Sequence, residues 1–185
     1  LTALYDKLKN IELGTSQALV RYSAQQAGEL IDQCKGKRKP LLKGYRTRIL
    51  DGNHLGKTNH RLKVLRNTAA GALPGQALVL LDPQRMLIDE VVLCEDGHAQ
   101  ERSLLEQVVL LFFKNDLVIA DRNFCVLSFF FGMKKRGTRF IIRQHKTMPW
   151  KSLGKARYVG RCDGGRVYEE PIELRDPQTC KTMQI

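Results

Sequence analysis

The central strand of a sheet is predicted by one apolar run, Leu117-Val118-Ile119-Ala120, which leads directly into Asp121. A continuous apolar run that ends in a polar residue is typical of a strand buried on both faces of a covered sheet. Residues 123–135 follow as a predicted helix and residues 138–143 as a further strand. The run therefore predicts the start of a strand–helix–strand unit.

The residues before this run predict the rest of the sheet. Residues 45–51 alternate as a strand that ends in Asp51. Residues 77–81 and 86–94 are predicted as an antiparallel hairpin, and residues 99–113 as a helix. The order strand, strand, strand, helix, strand, helix, strand predicts an α/β fold with a mixed sheet and flanking helices. It is compatible with the ribonuclease-H-like fold.

The segments on either side of this α/β core have different residue patterns. Apolar residues recur near helical spacing in the first 32 residues, and Gly14-Thr15-Ser16 is predicted to interrupt the helix. After residue 148 the pattern changes to short strands and turns. We therefore divide the chain into a helical N-terminal segment (1–42, for DNA binding or dimerisation), the α/β core (43–147) and a β-rich segment (148–185).

The charge of the chain indicates a polyanionic partner. Lys and Arg number 31 and Asp and Glu number 19 among 185 residues, for a formal charge of +12. Such a chain attracts nucleic acid, because binding releases the condensed counterions of the phosphates. No apolar run reaches the roughly 18 residues that a membrane span needs. The five scattered cysteines are typical of reduced thiols in the cytoplasm.

Two carboxylates lie at the ends of predicted strands, where the functional residues of such a sheet are expected. Asp51 and Asp121 each follow an apolar strand, and functional groups of open α/β sheets gather at the carboxyl ends of strands. Two carboxylates there suit Mg²⁺, and a pair of such ions promotes phosphoryl transfer. The alternative is structural, since Asp is also common after strands as a turn former or helix cap.

The residues around both aspartates resemble those of a known family. Ile49–Leu55 resembles the first catalytic Asp motif of DDE-type insertion-sequence transposases, and Val118–Phe124 resembles their second motif, Asp-Arg-x-Phe. The stretches Leu73–Gly75, Cys94–Arg102 and Phe140–His145 also resemble members of this family. The resemblance covers roughly residues 45–145, and the two Asp motifs occur in the expected order.

The resemblance implies a catalytic role for the aspartates. Asp51 is expected to bridge two Mg²⁺ or Mn²⁺ ions and Asp121 to hold one of them, with Gly52 allowing close approach beside the metal. The complete enzyme is expected to act as a homodimer on DNA. It would cleave at terminal inverted repeats and direct the freed 3′-hydroxyl at target DNA, in the bacterial cytoplasm near the nucleoid.

Other polar residues are expected to contact DNA. Two of them follow Asp51, one follows Asp121, and the rest are basic residues of the later helix and strand. The candidates are Asn53, His54, Arg122, Lys134, Lys135, Arg136, Arg143 and Lys146.

One expected motif of the family is missing. The third catalytic carboxylate should lie in a Tyr-x2-Arg-x3-Glu-x6-Lys motif, which this sequence does not contain. We therefore expect the chain to stop inside the family's strand-rich insertion and to be inactive alone. Two alternatives remain: a truncated, non-catalytic DNA-binding relic, and a stand-alone ribonuclease-H-like nuclease whose site is completed by Asp89 or Glu90.

Overall fold

A five-stranded mixed sheet forms the centre of the protein. A computed structural model describes residues 11–56, 75–97 and 99–185. The strand order is β3-β2-β1-β4-β5. β1 is parallel to β4, and β4 to β5, whereas β2 is antiparallel to both of its neighbours. This arrangement is compatible with a ribonuclease-H-like fold. The strands are β1 (Arg46–Leu55), β2 (Gly75–Asp82), β3 (Leu87–Cys94), β4 (Asp116–Ala120) and β5 (Arg139–Ile142).

The helices cover one face and one edge of this sheet. α1 (Leu13–Gln33) packs against the edge strand β3. α2 (Leu105–Val109) and α3 (Leu127–Arg136) pack against each other over the core. Each of these two follows a short 3₁₀ helix, at Glu101–Leu104 and Arg122–Phe124 respectively.

The hydrophobic core lies between the sheet and the two short helices. Phe112, Phe124 and Phe129 are almost completely buried in it, together with Leu50 from β1 and Val118 from β4. Because side chains alternate along a strand, the residues next to Leu50 and Val118 face away from this core. The register of β1 and β4 therefore decides which residues reach the opposite face.

The last part of the chain forms the short strands that its pattern predicts. A three-stranded sheet has the order β10-β9-β6, and a separate hairpin pairs β7 with β8. Leu174 and Met183, from β9 and β10, are buried in the main core. The strands are β6 (Lys151–Ser152), β7 (Arg157–Cys162), β8 (Gly165–Glu169), β9 (Ile172–Arg175) and β10 (Thr182–Gln184).

The predicted end of β1 at Asp51 is wrong. The strand continues to Leu55 because β2 pairs with it along this length, from Asp51 opposite Val79 to Leu55 opposite Gly75. Only the parallel pairing with β4 stops earlier, at Leu50 opposite Ala120. Asp51 is therefore the first residue of β1 that has no partner on its β4 side.

Both helices predicted in the core are shorter than their apolar spacing indicates. The helix predicted over 99–113 ends at Val109, and the amides of Leu111 and Phe112 then donate to the carbonyls three residues earlier. The helix predicted over 123–135 is interrupted by Val126, whose backbone is extended (φ −128°, ψ 129°). The 3₁₀ turn before Val126 and the α-helix after it bury the same side, so the spacing of apolar residues does not indicate the interruption.

The interruption predicted at Gly14-Thr15-Ser16 is also wrong, because these residues form the first turn of α1. The first amides of a helix have no intrahelical partner, which makes small and polar residues acceptable there. Residues 1–10 lie outside the described part of the chain, as do Leu73, Pro74 and His98 of the family-like stretches. Within the described ranges, no helix is long and apolar enough to cross a membrane.

An ion pair joins the first residues of β1 and β4. Arg46 lies opposite Asp116 in the parallel register, and its guanidinium donates two hydrogen bonds of 2.7 Å to the Asp116 carboxylate. Asp116 is buried and also accepts the Phe113 amide at 2.9 Å. Hydrogen bonding to Asp116 raises the pKa of Arg46 above its ordinary value. This pair fixes the start of both strands at the same level.

Removing this pair should destabilise the protein far more than removing an exposed one. Asp116→Ala is expected to lower the free energy of unfolding by about 2–3 kcal/mol, since a buried charged acceptor and its partners are lost. Glu169→Ala breaks the exposed Arg157–Glu169 pair of the β7–β8 hairpin and should cost less than about 1 kcal/mol. Urea denaturation measures both, and equal losses would contradict the role given to Asp116.

Candidate functional site

Asp51 and Asp121 lie side by side at the carboxyl edge of the sheet. Each comes one residue after the last parallel pair, Leu50 opposite Ala120. The Asp121 backbone is still extended (φ −78°, ψ 178°), so the alternation of side chains continues through it. Both aspartates are exposed and belong to the face opposite the Leu50 core. Adjacent strands are about 4.8 Å apart, so the backbones of Asp51 and Asp121 occupy neighbouring positions at this edge.

Each carboxylate uses one oxygen for a local backbone contact. Asp51 Oδ1 accepts the Gly52 amide at 2.9 Å, and Asp121 Oδ1 accepts the Asn123 amide at 2.8 Å. Asp121 thereby caps the 3₁₀ turn that follows β4, which is the structural role that its position also allows. Within the described ranges, the second oxygen of each aspartate has no protein hydrogen bond. Capping therefore leaves both residues able to bind another group.

These two carboxylates fit the ligand preferences of Mg²⁺ or Mn²⁺. Mg²⁺ commonly takes one or two carboxylates and completes its octahedron with water and substrate phosphates. Two exposed carboxylates on neighbouring strand ends at one edge of the sheet are of the kind that such an ion binds. In the part of the chain that the structure describes, no group of three or more His, Cys, Asp or Glu is arranged to hold a metal ion. The described residues thus provide a two-carboxylate ligand set.

The structure adds Glu101, which local sequence patterns do not single out. Its carboxylate occupies the space beside Gly52, where a Cβ would meet Glu101 Oε1 at 2.1 Å. Oε2 of the same carboxylate accepts Asn123 Nδ2 at 2.7 Å. The one sequence signal for this contact is the glycine directly after Asp51. The close approach expected at Gly52 is therefore made, in this structure, by a side chain of the protein itself.

Five of the predicted DNA contacts lie at the edge that carries the aspartates. Asn53 and His54 continue β1 beyond Asp51, and Arg122 follows Asp121. Arg143 and Lys146 follow the end of β5 at Ile142, and β5 is parallel to β4. All five residues are exposed. This edge thus combines two carboxylates with three cationic side chains.

The other three predicted contacts lie elsewhere. Lys134, Lys135 and Arg136 end α3, just before β5 begins, which places them at the opposite edge of the sheet. The guanidinium of Arg136 donates to the carbonyl oxygens of Leu110 and Phe112 at 2.9 and 2.7 Å. It thereby holds the chain that follows α2. The structure does not bring these residues together with Asp51 and Asp121.

The acids that would complete a stand-alone nuclease site are also not beside Asp51. Asp89 and Glu90 lie on β3, which is separated from β1 by β2. Asp89 is paired with the buried Arg48. Glu90 binds Arg21 of α1 at 2.7 Å. Both carboxylates are therefore engaged in ion pairs two strands away, and this placement gives the nuclease alternative no third ligand.

A comparison with solved structures finds distant similarity to a transposase. No family model matches the sequence, and no curated protein is detectably similar to it. Among solved structures, the chain is similar to the piggyBac transposase in its synaptic complex with hairpin DNA, with a TM-score of 0.39 and 11% identity. The match covers 75% of this chain and 32% of that one, so this chain spans about a third of its length. A likeness this weak says nothing about the site.

The proximity of two like charges can be tested in the metal-free protein. Asp51→Asn should raise the Tm by about 1–3 °C at low salt, because like charges on adjacent strands repel each other. The gain should disappear in about 1 M salt, where the screening length falls to about 3 Å. Asp163→Asn, an exposed residue of the β7–β8 turn, is the matched control. A Tm for Asp51→Asn no higher than that of the control would contradict the proximity.

Proposed function

We propose that this chain carries two metal-binding carboxylates of a DDE-type insertion-sequence transposase. The observation that supports this most directly is the position of Asp51 and Asp121, one residue beyond the last β1–β4 pair and on the same face of the sheet. The motifs around both residues resemble those of this family. The sheet that holds them is compatible with the ribonuclease-H-like fold. The strand positions, the motif residues and the fold therefore all support this proposal.

In this proposal the two aspartates hold Mg²⁺ or Mn²⁺ at the sheet edge. As the family resemblance implies, Asp51 would be a ligand of both ions and Asp121 a ligand of one. Ions bound there would activate an attacking oxygen and stabilise the leaving oxygen in phosphoryl transfer to or from DNA. The backbone amides of Gly52 and Asn123 each donate to one oxygen of an aspartate, which would leave the other oxygen available to an ion.

The cationic side chains of the same edge are proposed to hold the DNA strand. Arg122, Arg143 and Lys146 are exposed and lie near the aspartates along the sheet edge. Their contacts to phosphates would place the backbone of a DNA strand at the carboxylates. The formal charge of +12 adds long-range attraction for DNA. Action on terminal inverted repeats and target DNA, as a homodimer, belongs to the complete enzyme in this proposal.

A second candidate is a DNA-binding chain that does not cut. It is favoured by one observation: the described residues contain no cluster of three metal ligands. Such a relic would keep the basic edge and bind DNA, but would gain nothing from a divalent ion. Metal binding by the aspartate pair therefore separates the two candidates.

Mn²⁺ binding tests the proposed site directly. Titration monitored by electron paramagnetic resonance should show a site that Asp51→Asn and Asp121→Asn each weaken by about tenfold or more, since even the partners of metal ligands contribute about that much. Asp163→Asn should bind Mn²⁺ like the unaltered protein. Mn²⁺ affinity that neither substitution changes would overturn the transposase proposal and favour the non-catalytic DNA-binding chain.

The edge that contacts DNA can be located by salt dependence. Arg143→Ala and Lys146→Ala should each reduce the slope of log affinity against log salt by about one, because each removes a phosphate contact. Lys134→Ala and Lys135→Ala remove equal charges from the opposite edge and should leave the slope unchanged. Fluorescence anisotropy with a labelled duplex measures all four. The reverse pattern would place the DNA away from the aspartates.

A further inference from the structure

The Glu101 side chain connects the ends of the two strands that carry the aspartates. On the β1 side it fills the space left by Gly52. On the β4 side its Oε2 accepts Asn123 Nδ2 at 2.7 Å. Glu101 itself begins the 3₁₀ helix before α2 and belongs to neither strand. A single carboxylate thus spans the gap between the two segments that follow Asp51 and Asp121.

Asn123 is held at both of its polar ends. While Glu101 accepts from its side-chain amide, Arg102 Nε donates to its backbone carbonyl at 3.0 Å. The backbone amide of Asn123 in turn donates to Asp121 Oδ1 at 2.8 Å. The contacts form a continuous chain from Gly52 through Glu101 and Asn123 to the Asp121 carboxylate. Orientation of Asp121 therefore depends on where Glu101 and Arg102 hold Asn123.

We propose that Glu101 is a positioning residue for the Asp51–Asp121 metal site, an inference that rests on the proposed function. Asp121 lies just past the end of β4, where sheet hydrogen bonds no longer hold the backbone. A carboxylate that must meet a cation together with Asp51 needs a fixed orientation, and partners of metal ligands supply such orientation. Glu101 does this by fixing the turn that Asp121 caps.

Gly52 permits a second way to break the same contact. An alanine there displaces the Glu101 carboxylate, which is the end of a flexible side chain. The three heavy atoms nearest to the alanine Cβ would all belong to that carboxylate. Gly52→Ala and Glu101→Ala should therefore have one and the same effect. Gly56→Ala is the matched control, since a Cβ at Gly56 meets nothing within 4 Å. Glu101→Gln retains an oxygen that accepts from Asn123 and should preserve the contact.

Amide hydrogen exchange in the metal-free protein tests the contact itself. Glu101→Ala and Gly52→Ala should lower the protection of the Asn123 amide by about three- to tenfold, the size expected from one hydrogen bond. Their combination should lower it no further, because both changes remove one interaction. Glu101→Gln and Gly56→Ala should retain native protection. Unchanged Asn123 protection in Glu101→Ala would overturn the inference, whatever the protein does with metal.

Mn²⁺ affinity tests whether the contact positions the site. Glu101→Ala and Gly52→Ala should weaken Mn²⁺ binding by about tenfold, and Glu101→Gln should restore it to near the native value. Loss of Asn123 protection with unchanged Mn²⁺ affinity would overturn the positioning role. If the unaltered protein binds no Mn²⁺ through Asp51 and Asp121, the proposed function fails, and with it the metal role of Glu101. The exchange result would still show whether the contact exists.

Discussion

β1 and β4 are held in parallel register by an ion pair at one end and by the core at the other. Arg46 and Asp116 are opposite each other at the first paired position, and their side chains form two hydrogen bonds. Four residues later, Leu50 lies opposite Ala120. A slip of one residue would move every side chain of a strand to the other face. This register places Asp51 level with Asp121, and the candidate site depends on it.

The proposed site brings two like charges to neighbouring strands, and nearby residues hold the turn that follows one of them. Two exposed carboxylates on adjacent strands repel each other, which favours any cation that binds between them. Backbone amides after each aspartate offset part of this repulsion. Glu101 and Arg102 then hold the turn after Asp121 from outside the sheet. Under the proposed function, a bound cation would offset this repulsion.

The sequence predicts most of the sheet because its signals are local. The apolar run before Asp121 and the hairpin around Asp82 follow from alternation and turn residues, and both are confirmed. The sequence does not predict the extension of β1, because Gly52-Asn53-His54 is a poor strand sequence and pairs only through β2. It does not predict the breaks in the two short helices, because 3₁₀ and α turns bury the same apolar residues.

The candidate site was predictable only in part for a related reason. Alternation and the family-like motifs select Asp51 and Asp121. The contact of Glu101 with Gly52 and Asn123 joins residues far apart in the chain, so no local pattern contains it. The sequence does not distinguish the basic residues at the end of α3 from those that follow β5. The two groups lie at opposite ends of β5, and because β5 is parallel to β4, only the second group lies at the edge of Asp121.

Anomalous diffraction from crystals of the protein soaked in Mn²⁺ would show directly whether Asp51 and Asp121 bind one metal site. A manganese peak is expected at the carboxyl edge of β1 and β4, with a carboxylate oxygen from both Asp51 and Asp121 at about 2 Å. Manganese bound elsewhere while both carboxylates remain free, or the two aspartates on opposite faces of the sheet, would contradict this expectation.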